Sequence, residues 1–187
     1  MDKDSIVLGS GYIYTTEFEG TDKVLPSDVE IETEANRLGY IKGGASIEYA
    51  PTFYEAKDDM GKVSKTIITE EEATFKSGIM TWCANTLKKL CDTGRVSESG
   101  KKRTIKIGGI GNAVNKSYVI RFVHEDNVDG NVRVTIVGKN QAGFTLQFAK
   151  DAETVIDAEF KAMPIDKEGT LIIYEEEMSE ISASGTL

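Results

Sequence analysis

Three consecutive glutamates, Glu70, Glu71 and Glu72, raise the question of chemistry in this chain of 187 residues. On a strand, successive side chains point to opposite faces, so Glu70 and Glu72 share one face and Glu71 takes the other. The three cannot converge on a single metal ion. Glu70 and Glu72 alone could serve as a general acid and base, yet no catalytic partner lies near them in sequence. A solvated strand face is the default reading. Adjacent like charges are unfavourable there unless water or a partner subunit relieves them.

The remaining reactive side chains are sparse. His124 is the only histidine, which excludes histidine clusters and two-histidine metal sites. It falls at a strand end, a poor position for the base of a nucleophile–His–carboxylate arrangement. "EDNVDGN" (125–131) has the look of a calcium loop. Counted from Glu125, however, the bidentate glutamate position holds Ile136, and strands rather than helices flank the loop. A tight turn with Asp129 and Gly130 at its tip accounts for it better. "GGIGN" (108–112) is too short for a dinucleotide fingerprint, and Gly61-Lys62 and Gly138-Lys139 lack the rest of a phosphate-binding loop. No metal, cofactor or catalytic site is expected. Cys83 and Cys91, eight residues apart on one predicted helix, stand about 12 Å apart along its axis. A disulfide tolerates about 7 Å between Cα atoms, so both read as small core hydrophobes.

Composition bounds the class. At 40% hydrophobic and 28% charged residues the chain reads as a globular protein. No apolar run approaches the roughly 18 residues that span a bilayer. The acidic start "MDKDSIVLGSGYIY" is unlike a signal peptide, so synthesis without export is expected. The net charge of −9 is concentrated at the C-terminal end, where residues 151–187 carry ten acids against Lys161 and Lys167. Such a chain should not grip nucleic acid, which needs Lys and Arg to displace counterions.

The elements that must position these residues are mostly strands. Residues 29–38 alternate polar and apolar as a half-buried strand does, and 40–50 continue the pattern across Gly43-Gly44. A long polar loop is predicted over 51–65, carrying Phe53 and Tyr54. From 65 to 75 a strand follows with neither face cleanly apolar. The spacing of Ile79, Trp82, Cys83, Leu87, Leu90 and Cys91 predicts a helix over 77–93, with Ser77 as N-cap and Gly94 after its end. The runs 103–109, 117–125, 131–139, 143–150, 154–163 and 169–177 are short, β-branched and separated by Gly, Asn and Asp turns. Together they predict a mainly β (α+β) fold, a β-sandwich or barrel with one flanking helix. Residues 1–28 read as an N-terminal arm, 29–177 as the domain, and Ser-rich 178–187 as a flexible tail.

In its order of parts the chain resembles the tail tube (major tail) proteins of long-tailed, siphovirus-type bacteriophages. The resemblance lies in "LGYIKGGASIEYAPTFYEAKDD", "KTIITEEEATFKSGIMTWCANTLKKL", "YVIRFVHEDNVDGNVRVTIVGKNQAGFTLQFAKD" and "EFKAMPIDKEGTLIIYEEE", and covers about residues 30–177. It implies a non-enzymatic virion protein, assembled in the host cytoplasm, whose hexameric rings stack into a tube through which DNA leaves the capsid. Implied partners are other copies of the chain, and the tape-measure, tail-terminator and baseplate proteins. DNA would pass without specific binding, and no membrane is involved. By the same likeness 51–65 is the inter-ring loop, with Phe53, Tyr54, Lys57, Asp58 and Asp59 as candidates for contact. Glu30, Glu32, Glu70 and Glu72 are candidates for a lumen-facing or inter-subunit surface. Rival readings are a non-catalytic sandwich that binds a glycan or protein, and an enzyme using the glutamate pair.

Overall fold

A computed structural model describes residues 9–127 and 130–177, and nearly half of them lie in strands. In chain order the elements are β1 (Tyr12–Glu17), α1 (Asp28–Ile31), β2 (Arg37–Gly39), β3 (Ile41–Lys57), β4 (Ser64–Ile79), α2 (Ala84–Lys89), β5 (Arg95–Ser99) and β6 (Lys102–Lys106). A 3-10 turn (Ile110–Asn112), β7 (Tyr118–His124), β8 (Val132–Asn140), β9 (Ile156–Ala162) and β10 (Ile172–Glu176) complete them. The main sheet is antiparallel in the order β2-β1-β7-β8-β9-β4-β3, with β10 also paired to β8. β5 and β6 form a separate two-stranded ribbon.

β7 sits at the centre because both of its faces can be buried. Tyr118 and Ile120 join one apolar cluster, while Val119 and Val123 join another on the opposite side. The first cluster is the larger, and there Ile13, Phe75, Ile79, Ile136, Ile156 and Phe160 meet Leu87 of α2 and Leu90 at its C-cap. Each such side chain contributes about 1.5–3 kcal/mol when fully buried, so this cluster carries the fold. The second cluster is covered by Ile31 of α1 and by Ile165. The sheet encloses the larger cluster by turning back on itself. β2 and β3 lie at opposite ends of the strand order, yet Tyr40 alone separates them in the chain. Met80 N donates to Tyr40 O at 2.7 Å and Tyr40 N to Thr81 Oγ1 at 2.8 Å, closing that corner. The result is a β-sandwich with α2 flanking it: Thr86 Oγ1 donates to Leu38 O, and Asn140 Nδ2 to Leu90 O. β8 changes partner midway, from β10 at 132–136 to β9 at 138–140. Gly138 permits the switch, since a Cβ there would stand 2.1 Å from Lys161 O.

Five local expectations are corrected. The helix predicted over 77–93 is confined to Ala84–Lys89, because the chain up to Ile79 is held as a strand by β3 on one side and β9 on the other. Ser77 caps nothing; its hydroxyl donates to Gly44 O at 3.0 Å. Gly43 and Gly44, with φ of +83° and +78°, form a bulge in β3 there. Residues 29–38 are not a strand throughout: Ser27 and Glu30 form a capping box that starts α1, and only Arg37–Gly39 is extended. Of the N-terminal arm expected over 1–28, Tyr12–Glu17 is built into the sheet between β2 and β7. Residues 143–150 form no strand, although Phe144 and Leu146 pack on the larger cluster. Cys83 is exposed rather than buried, and both cysteines are free thiols. The expected turn tip at Asp129 and the tail 178–187 lie outside the described residues.

Candidate assembly surface

The stretch expected as a loop over 51–65 is instead the outer half of a long hairpin. β3 and β4 stay paired out to Lys57 and Ser64, with the register shifting once between Thr52 and Phe53. Asp58 makes the turn: its carboxylate accepts from Val63 N at 2.7 Å, and its own N–H donates to Val63 O at 3.1 Å. β9 supports β4 only over Thr74–Ile79. Beyond Ala50 and Glu72 the two strands stand off the body with both outer edges unpaired among the described residues. At about 3.3 Å per residue that arm extends roughly 25 Å.

Its side chains show why neither face looked apolar in sequence. Tyr49, Pro51 and Phe53 share the face that runs on from Phe75, with Glu71 and Ile68 opposite them. Ala50, Thr52 and Tyr54 share the other face, with Glu72, Glu70 and Ile67 opposite. Ile47, Tyr49, Phe53, Tyr54, Ile67 and Ile68 are all exposed, Phe53 at 58% and Ile68 at 52%. A hairpin with no core of its own is marginal in water, and unpaired edges are templates for another chain.

Glu70 and Glu72 do share a face, but they are not two equivalent carboxylates. Glu72 is ion-paired with Lys161 of β9, and that contact raises the lysine's pKa. Glu71, on the opposite face, accepts the hydroxyl proton of Tyr49, which raises the tyrosine's pKa. Glu70 is exposed on the arm. Lys57 pairs with Glu55 at 3.0 Å, while Asp59 is exposed in the turn beside Asp58.

Glu30 and Glu32 lie elsewhere. Glu30 accepts from Ser27 N and Ser27 Oγ, and the hydroxyl contact chiefly holds its carboxyl below the usual range. Glu32 belongs to an ion cluster that sequence reasoning missed. Arg121, whose side chain is 5% exposed, pairs with Asp28 and lies 3.7 Å from both Glu32 and Glu175. Its Nε donates to Thr135 Oγ1 at 3.0 Å. Arg133 pairs with Glu32 at 2.7 Å and Glu177 at 2.5 Å. The cluster ties α1 to β7, β8 and β10. A lone arginine inside the apolar run "YVIRFVHE" was the available signal, since buried charges need partners.

This cluster has a pH signature. The Arg133 guanidinium, helped by the N–H of Asn131, holds the Glu177 carboxyl below the ordinary carboxylate range. A carboxyl whose folded pKa lies below its unfolded value adds stability above the unfolded value and loses it as pH falls through the folded one. The melting temperature of Glu177→Gln should therefore lie below wild type at pH 7. The gap should close as pH falls from about 5 towards 3, which thermal melts across that range would check.

Among the described residues, no group of three or more His, Cys, Asp or Glu could hold a metal ion. His124 is buried with its Nδ1 donating to Ser10 O at 2.8 Å. A cleft of about 470 Å³ beside α2 is lined by Cys83, Arg37 and Lys89, but Lys89 Nζ is already engaged by Thr15 Oγ1 at 2.8 Å. No helix among the described residues is long and apolar enough to cross a membrane.

Comparison with known proteins finds no matching family model and no matching curated sequence.

Proposed function

We propose that this chain is a self-assembling structural protein, the tail tube subunit of a long-tailed, siphovirus-type bacteriophage. Its rings, six copies each in the family it resembles, stack into the conduit for DNA ejection. The observation that carries this reading is the β3–β4 arm, an extended hairpin with open edges and exposed Tyr49, Phe53, Tyr54, Ile67 and Ile68. A monomer gains nothing from such an arm, whereas a neighbouring copy would bury its exposed apolar side chains and pair its edges. The charge balance supports the same reading. A duplex bears about one negative charge per 1.7 Å of axis, and six copies of a chain of net charge −9 carry −54 per ring. An acidic bore repels the duplex it conducts. Glu70, exposed on the arm, is a carboxylate for that wall or for a contact between copies; Glu72, beside Lys161, contributes less.

Electron microscopy and sedimentation of the purified protein over a range of concentrations test the reading. Rings or tubes should form above a threshold concentration. A stable monomer at high concentration and physiological salt overturns it, and carboxylates found only on the outer tube wall overturn the lumenal role of Glu70.

A further inference from the structure

The sequence carries −9 overall, yet its charge is sorted into opposed surfaces. Residues 46–72, which include the arm, hold seven acids against three lysines. Residues 95–106, the β5–β6 ribbon, hold five Lys or Arg against Glu98 alone. Strand parity sharpens the contrast. Val96 and Ile105 are paired and half-buried, Ile105 against the main core, so the alternate positions face outward. Those positions are Arg95, Ser97, Ser99, Lys102, Thr104 and Lys106, three cations and no acid. Ile107 follows directly and is 48% exposed. The segment holding Ile107, Ile110 and Val114 is tied to the foot of β5, where Gly108 N donates to Thr93 Oγ1 and Val114 N to Asp92 O.

We propose that the β5–β6 ribbon, through Arg95, Lys102 and Lys106 with Ile107 beside them, is the surface that receives the acidic β3–β4 arm of a second copy of this chain. The inference rests on the reading of the protein as a self-assembling subunit and names the two surfaces that meet. The match is chemical as well as electrostatic. The arm offers Glu70 beside exposed Tyr54 and Ile67 on one face and Glu71 beside Phe53 and Ile68 on the other, and the ribbon, its cations bordered by Ile107 and Ile110, takes one of these faces. Among the described residues, Arg95, Lys102 and Lys106 of the ribbon and Glu70 of the arm make no ion pair within one copy. The ion pairs recorded for the ribbon and the arm join Arg103 to Glu98, Lys57 to Glu55, Lys76 to Glu48 and Lys161 to Glu72, and none links one surface to the other. Two different patches that fit each other make a head-to-tail contact, which propagates rather than closing a dimer.

The test compares assembly thresholds by sedimentation and electron microscopy for full-length wild type, the ribbon variant Arg95→Glu/Lys102→Glu/Lys106→Glu, the arm variant Glu70→Lys/Glu71→Lys, and the combined variant. All substituted side chains are exposed, and circular dichroism checks that each variant is folded. The wild-type threshold should rise roughly tenfold between about 0.05 and 0.5 M salt. Each charge reversal should raise the low-salt threshold by roughly 30-fold, and the combined variant should return to within about threefold of wild type. Carbodiimide should link Lys102 or Lys106 of one copy to Glu70 or Glu71 of another in assembled material only. If wild type assembles and the ribbon variant assembles equally well at every salt concentration, this inference falls and the proposed function stands. A wild type that never assembles removes both. Ribbon-dependent binding of duplex DNA with unchanged assembly reassigns the ribbon to nucleic acid and overturns the inference.

Discussion

Replacing Phe53 and Ile68 together by threonine should abolish assembly at concentrations where the wild type polymerises, and leave the monomer folded. The two residues face each other across the arm, Phe53 paired with Ile68. Each is about half exposed in a single copy, at 58% and 52%. Burying the remaining half of each against a neighbour is worth about 1–1.5 kcal/mol per side chain. Losing both should raise the assembly threshold roughly 30- to 100-fold. Threonine keeps the strand preference of the positions, so circular dichroism and the melting temperature should change little. The companion variant Tyr54→Thr/Ile67→Thr strips the opposite face. Sedimentation of the pair identifies the face that docks, and an unchanged threshold for both double variants would remove the arm from the assembly contact.

The second large effect is on stability. Arg121→Ala should cost about 3 kcal/mol, equivalent to a fall of roughly 6–12 °C in melting temperature for a chain of this size. The side chain is 5% exposed and holds Asp28, Glu32 and Glu175 around it. Its removal leaves the hydroxyl of Thr135, fully buried at 0% exposure, without its donor. Arg133 then remains alone among four carboxylates. The half-buried state of Asp28 and Glu175 keeps the figure at the low end of the range for broken buried pairs. Arg103→Ala provides the contrast. Its pair with Glu98 is exposed on both sides, and such pairs contribute about 0–1 kcal/mol. Equal losses in the two variants, read by chemical denaturation, would show that the Arg121 cluster adds no more than a surface pair.

The strands of the C-terminal half could be read from sequence because their burial is local in cause. β7, β8, β9 and β10 are β-branched runs bounded by turn residues, and the core takes them as they are. Errors arose where a distant partner decided the outcome. The helical stripe from Ile79 to Cys91 was genuine spacing, but Ile79 pairs with Ile41 and Ile156, and that pairing overrides helix preference. In α1 the signal was present as Ser27 with Glu30 three positions on, and the alternation at 29–38 masked it. β1 was too short and polar to betray that its Ile13 and Tyr14 serve opposite faces of the sheet. The arm was missed for a different reason. A hairpin without its own core has no apolar face, so the two-residue period that marks a strand is absent from it. Among the candidate residues, the common face of Glu70 and Glu72 followed from spacing alone. Their inequality did not, because Lys161 lies 89 positions from Glu72.

The bulge at Gly43 and Gly44 has a mechanical consequence. Both residues adopt a left-handed backbone at the root of β3, with nothing within 4 Å of where a Cβ would stand, and the ladder skips them between Lys42 and Ala45. Outward of that point β3 and β4 pair without a break to Thr52 and Glu70, where the ladder shifts again; inward, Tyr40 alone lies between β3 and β2 at the closing corner of the sandwich. At the bulge the Ser77 hydroxyl donates to Gly44 O, so β4 holds it from across the ladder. Because β9 holds β4 over Thr74–Ile79, force on the hairpin enters the sandwich through β4, and bending is left to the unsupported length beyond Ala50 and Glu72.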